Sequence, residues 1–132
     1  MDILYQADVT EQPPAKVLEE RRGMGRDVLP YAEELVIGVE RSLPDIDALL
    51  SDHAEGWAVH RMAVLDRTLL RLACYELRAG LAPSIAINEA VELANELSTE
   101  DSGRFINGVL GRIAREAEEA TALRTRAEPR SN

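Results

Sequence analysis

An all-helical fold, a bundle of about six to seven helices, is what this sequence predicts, and three observations predict it. Apolar residues recur at intervals of three and four along most of the chain, the spacing that lines one face of an α-helix. Strand signals are nearly absent, since no alternating run is bounded by a two-residue hairpin turn. Proline, glycine and small polar residues punctuate the chain at helix-length intervals. With 132 residues, 45% of them hydrophobic, there is material for one core and too little for two ordinary domains.

The opening stretch MDILYQADVT places Ile3, Leu4 and Ala7 on one side of a helix that starts with no capping residue before it. Pro13 and Pro14 end it, and AKVLEER makes a short amphipathic helix around Val17 and Leu18 that Gly23 and Gly25 terminate. Asp27 is placed to cap the next helix. From Pro30 the stripe Leu35, Val36, Val39 and Leu43 is helical, Pro44 predicts a break or kink, and Ile46, Leu49 and Leu50 carry the burial on to about Asp52. SDHAEGW reads as a connection.

Residues 61 to 79 are apolar almost all round, with Leu65, Leu69, Leu72 and Ala73 facing one way and Leu70 and Leu77 widening the stripe, as befits a central helix. Gly80 suits its C-terminal cap. Pro83 and Ser84 open another helix, whose predicted inner face is Ile87, Ala90, Val91, Ala94 and Leu97 and whose wet face holds Asn88, Glu89, Glu92 and Glu96. The last helix starts in STEDSGR, where Thr99, Asp101 or Ser102 can take up orphan backbone donors, and its core stripe is Ile106, Val109, Leu110, Ile113 and Ala117. One domain over residues 1–121 is therefore expected, with residues 122–132 a solvated, disordered tail that lacks any apolar period.

Several function classes are disfavoured. A net charge of −9, from 24 acidic against 15 basic side chains, repels nucleic acid and anionic membranes unless the basic groups are segregated. All of those basic residues except Lys16 are arginines, whose planar forks suit phosphate and carboxylate. The single cysteine, Cys74, permits no intrachain disulfide and no cysteine metal cluster, and fits a reducing cytoplasm. No continuous apolar run is long enough to span a membrane, so a cytosolic chain is expected. The paired Glu-x-x-His motifs of a di-iron bundle do not occur, His53 and His60 flank a glycine-containing connection, and no metal or other cofactor is expected. No serine stands in a nucleophile elbow, and RRGMGR lacks the lysine and hydroxyl of a phosphate loop, so no enzyme is expected.

A binding surface remains. Arg67, Arg71, Tyr75 and Arg78 share a helix face, either as a solvated flank or as a charged surface with a stacking ring. Arg104, Gly108, Gly111 and Arg115 form a second stripe, open either to a partner or to a close-packed neighbouring helix. Phe105, the only phenylalanine, stands one position before the core stripe. It can pack, or it can stack on a base with Arg104 and Asn107 beside it, the combination that reads single-stranded RNA.

The segments LDRTLLRLACYEL, AINEAVELANELSTEDS and RFINGVLGRIA, in this order over residues 65 to 114, resemble the C-terminal signatures of the NusB family of transcription antitermination factors, and ILYQAD fits near the start. The resemblance implies two packed helical subdomains and a non-enzymatic, cytoplasmic protein. It implies binding to boxA RNA of ribosomal transcripts together with NusE, a small-subunit ribosomal protein, within a complex on RNA polymerase that suppresses premature termination. It leaves monomer and homodimer open. Carried over residue by residue, the RNA-facing positions are Tyr5, Asp101, Arg104 and Phe105, with Asn107 beside them, and the NusE-facing positions are Asp66 and its neighbours, here Arg67 and Tyr75. Arg71 lies close to both. The family pattern also implies an arginine-rich segment before the first helix, whereas this sequence starts at Met1 within that helix, so a late start codon or a truncated gene is expected, with weakened electrostatic attraction to RNA. The alternatives in other classes are an RNA-guiding domain of the kind fused to rRNA cytosine methyltransferases, and a helical scaffold that binds protein only.

Overall fold

The computed structural model describes residues 2–23, 30–54 and 58–127. Six α-helices follow one another in the described residues: α1 (Asp2–Val9), α2 (Pro14–Gly23), α3 (Pro30–His53), α4 (Val64–Arg78), α5 (Pro83–Leu97) and α6 (Glu100–Ala127), with one 3₁₀ turn at Val59–Arg61 before α4. Asp27 and Gly25 lie outside the described residues.

Local chemistry sets the helix ends. Pro14 lacks an N–H and opens α2, and the next orphan donor, the Ala15 N–H, is taken up by the Glu40 carboxylate of α3 at 2.9 Å. At the end of α4, Gly80 adopts φ 99°, the Leu81 N–H returns to the Glu76 carbonyl and the Gly80 N–H to the Leu77 carbonyl, a Schellman turn that a residue with a Cβ would strain. Of the three candidates for the cap of α6, Thr99 does the work. Its Oγ1 accepts the Ser102 N–H at 3.1 Å, and Asp101 sits inside the first turn instead.

The apolar stripes pack into two clusters. Ile3, Leu4 and Ala7 of α1 meet Val17 and Leu18 of α2 and Val36 and Val39 of α3, while Ile46 and Leu50 of α3 join Leu69, Leu70, Ala73, Ile106, Val109 and Leu110 in a larger one. α3 runs through both, and Tyr75 of α4 packs against both. These are the two packed subdomains. The Tyr75 ring lies so close to Gly38 that a Cβ at that position would strike it, so the glycine is what lets α4 approach α3.

Three expectations are corrected. Pro44 does not break α3, which continues for 24 residues; the proline lies on the exposed side, where water can take up the carbonyl its missing N–H leaves free. On α5 Ala86, Ala90 and Ala94 are buried and Ile87 and Val91 pack partly buried against the larger cluster, whereas Leu97, expected inside, is half exposed. Small residues every fourth position bring α5 against α6, which narrows the buried face to less than the apolar stripe predicted. α6 runs on to Ala127, past the point where the apolar period stops, because Ala, Glu, Leu and Arg favour helix by themselves, as in the exposed stretch 115–123. Ala117 belongs to this exposed stretch, not to the core.

A clamp joins the end of α3 to α6. Arg112 donates twice to the His53 carbonyl, at 3.1 and 2.8 Å. His53 Nδ1 lies 2.8 Å from the Leu49 carbonyl and Nε2 lies 2.6 Å from a Glu116 carboxylate oxygen. A carbonyl and a carboxylate both accept, so these partners favour the protonated ring, in which both nitrogens donate. Burial pulls the His53 pKa down, but the Leu49 carbonyl and the Glu116 carboxylate outweigh it and the net shift is upward. A raised folded pKa stabilises the protein fully below the unfolded value of about 6.5 and ceases to do so as pH rises through the folded value. The melting temperature should accordingly fall more steeply between pH 6 and pH 9 in the parent chain, on the order of its imidazole titration, than in His53→Gln. Parallel curves would show that the pair does not carry the charge assigned to it.

Candidate functional site

The first turns of α6 pack beside the first turn of α4, and the cleft between them collects three of the residues singled out from the sequence. Asp66 of α4, with Asp101 and Phe105 of α6, lines a groove of about 420 Å³ whose floor includes Met62. Phe105 is half buried and packs against the larger apolar cluster on one side while facing the groove on the other. Packing and display are thus both true of this ring. Asp66 Oδ2 accepts a long hydrogen bond from Ser102 Oγ, 3.4 Å, and Asp66 Oδ1 is buried with no hydrogen-bond partner among the described residues. A buried acceptor without a donor costs free energy, so this oxygen favours a donor supplied from outside.

Arg104 and Asn107 leave the same helix on its other side. They line a second groove, about 450 Å³, between α6 and α5. The Arg104 side chain is 74% exposed and only loosely paired, 3.3 Å from Asp101 and 3.8 Å from Glu100. Pairs this exposed hold little energy in water, so the guanidinium can be surrendered to a phosphate. Tyr5 stands on α1 with 42% of its surface exposed, and Val9 one turn further on is 54% exposed, giving α1 a short unpacked aromatic and aliphatic strip.

The third expected group, Arg67, Arg71 and Tyr75, is drawn into internal contacts. Arg67 donates from Nε and Nη2 to the two carboxylate oxygens of Asp8, both at 2.6 Å, and from Nη1 to the Val59 carbonyl. Arg71 holds Asp47 through Nε and Nη2 at 2.9 and 2.8 Å and reaches Asp8 at 3.3 Å. Both guanidinium groups are largely buried, at 12% and 18% exposure. Asp8 holds the Arg67 pKa above even its ordinary high value. Arg67 and Arg71 therefore tie α1 and α3 to α4, each through three donated hydrogen bonds, while Tyr75 fills the joint between the clusters. The periodicity put the three on one face, and that face is the one α1 and α3 cover. Asp8 and Asp47 gave no sequence signal, because their partners are more than twenty positions away.

Among the described residues no group of three or more His, Cys, Asp and Glu side chains could hold a metal ion. Cys74 is fully buried and its thiol is pushed up to about 12 by burial, which keeps it protonated. No helix of the described residues is long and apolar enough to cross a membrane.

The family model for the NusB family matches residues 1–115. The chain belongs to the NusB family. Among its relatives, the transcription antitermination protein NusB of Salinispora arenicola is 46% identical, over 86% of this chain and 88% of that one. The solved structure of T. maritima NusB superposes with a TM-score of 0.73 at 36% identity, covering 87% of this chain and 84% of the other. A structure of the antitermination factors NusB and NusE in complex with dsRNA superposes with a TM-score of 0.73 at 26% identity, covering 86% and 89%.

In this member of the NusB family the Asp8 carboxylate serves two arginines at once. Asp8→Asn should lower the unfolding free energy by about 2 to 4 kcal/mol, since it strands largely buried guanidinium charge. Urea denaturation measures this directly. A loss of a few tenths, as for exposed pairs, would mean that water penetrates the joint.

Proposed function

We propose that this chain is an RNA-binding transcription antitermination factor that engages boxA RNA of ribosomal RNA transcripts jointly with NusE, in a complex on RNA polymerase that suppresses premature termination. It acts in the cytoplasm by binding, without catalysis. The observation that carries the reading is the convergence of Asp66, Asp101 and Phe105 on one groove in a chain of the NusB family. A NusB relative of the same fold is found with NusE and double-stranded RNA, which supplies the two classes of ligand.

The chemistry of each group suits its part. Phe105 presents a ring face that a base can stack on, Asp101 accepts from a base amino group, and Arg104, exposed on the other side of α6, pairs with phosphate. Tyr5 offers a second ring on α1. Asp66 brings an acceptor that wants a donor, and its place in the same groove as Phe105 makes this the meeting point of RNA and protein partner. Net charge favours joint binding. A chain at −9 attracts phosphate poorly, so much of the positive charge in an RNA complex has to come from the partner.

The test is fluorescence anisotropy of a boxA RNA titrated with this chain, with and without NusE, over a salt series. Binding strengthened by NusE is the expected result, and equal affinity with and without NusE would refute joint recognition. Phe105→Ala should weaken the RNA complex by about 1 to 3 kcal/mol while the chain still folds, the range for one lost stacking contact. A large fall in melting temperature with unchanged RNA affinity would make the ring a packing residue alone. Asp66→Lys should impair association with NusE and leave the helical circular dichroism unchanged. If NusE binds both forms equally, Asp66 does not face the partner.

A further inference from the structure

The C-terminal half of α6 stands apart from the core. Ile113 and Ala114 are the last buried residues of that helix, and every residue from Arg115 to Leu123 is exposed. A short helical stretch without packing is marginally stable in water, so its winding depends on the anchor at its base. Glu116 makes such an anchor. Its carboxylate lies 2.6 Å from Nε2 of His53, the last residue of α3.

This anchor is conditional on a proton. A neutral imidazole carries one N–H and one lone pair, and His53 has an acceptor on each side, the Leu49 carbonyl at 2.8 Å and the Glu116 carboxylate. Once the ring is neutral, one nitrogen must meet an oxygen lone pair to lone pair. The two acceptors are not equally free to leave. Leu49 presents a main-chain carbonyl fixed within α3, whereas the Glu116 side chain is 67% exposed and turns into water at little cost. Nδ1 therefore keeps its hydrogen bond and Glu116 gives way. Arg112, one turn earlier on α6, is held differently: it donates twice to the His53 main-chain carbonyl, and those bonds do not depend on the state of the ring. Release accordingly starts beyond Arg112 and leaves the buried stripe of α6 in place.

Burial opposes a charge on the ring, while the Leu49 carbonyl and the carboxylates of Glu116 and Asp52 favour it, and the balance raises the His53 pKa above its ordinary value. Arg112 acts against the proton as a like charge, and Arg61 on the 3₁₀ turn and Glu119 on α6 are exposed to solvent that screens them. We propose that His53 and Glu116 form a proton-operated latch between α3 and α6: with the ring protonated the helix beyond Arg112 is anchored and wound, and when the proton leaves, Glu116 swings out and the stretch from Arg115 onward frays. The latch sits at the opposite end of α6 from Asp101 and Phe105, and it does not depend on what those residues bind.

The experiment follows the Cα chemical shifts of the full chain by NMR while the His53 ring is titrated, in the parent, in His53→Gln and in Glu116→Gln. In the parent, the ratio of wound to frayed chain over residues 115–123 should fall about three- to fivefold as pH rises through the ring titration, the scale of one partly exposed ion pair. The shifts of Ile106, Val109 and Leu110 should stay helical throughout. Neither variant should show the step, since a glutamine at position 53 has no proton to lose near neutral pH and one at position 116 suits either state of the ring. Shifts over 115–123 that stay constant while His53 titrates in the parent would overturn the latch. So would a step that survives in His53→Gln, which would assign it to another group, or one in which Ile106, Val109 and Leu110 move together with the end of the helix, which would make it a global change.

Discussion

Asp8 is the point on which the arrangement of helices depends. Its two carboxylate oxygens accept from Arg67, and one of them also meets Arg71, which in turn holds Asp47. One acidic residue of a short N-terminal helix is thereby tied to a central helix, and through it to α3. The apolar cluster beneath α1 is small, built from seven buried residues on three helices, and an eight-residue helix has little stability of its own. A bidentate pair supplies direction that apolar contact lacks. It fixes the rotation of α1, and with it the outward aim of Tyr5 and Val9.

The same geometry explains how few residues of α6 make two different surfaces. Side chains one position apart on a helix diverge by about 100°, so Arg104 and Phe105, adjacent in the chain, serve opposite grooves. Asp101 and Phe105, four apart, come together with Asp66. Between them the alanine face of α5 draws that helix close, and Ile106, Val109 and Leu110 anchor α6 at full burial. The candidate residues are therefore held on helices that the core packs in place.

How far the sequence could be read follows from where each signal lies. Burial of Val17, Leu18, Val36, Val39, Ile46, Leu69, Ile106 and Leu110 follows from periods of three and four within single helices, and the Gly80 cap and the Phe105 motif are equally local. Thr99 rather than Asp101 as the cap could not be separated from sequence, because both carry an oxygen in reach of the first turn. The internal partners of Arg67 and Arg71 were illegible for a deeper reason. A period tells which residues share a face but not what covers that face, and here the cover is Asp8 and Asp47, residues with no local mark. Similarly, the end of the apolar stripe was read as the end of α6, although packing and helix propensity are separate causes of helix and only the first had stopped.

For so acidic a chain the proposed binding of RNA presents a physical difficulty, and the internal arginine pairs sharpen it. Two of the guanidinium groups best placed to attract phosphate are neutralised inside the fold, and Arg104 is loosely held by its own helix. Attraction of the polyanion cannot rest on the long-range field of this chain. What the groove offers instead is short-range: a ring face, a carboxylate that accepts from base amino groups, and an unpartnered Asp66 oxygen. Such contacts discriminate between ligands once they arrive but do little to gather them. On the proposed reading a division of labour follows, with specificity supplied from this surface and the attraction of phosphate from the partner.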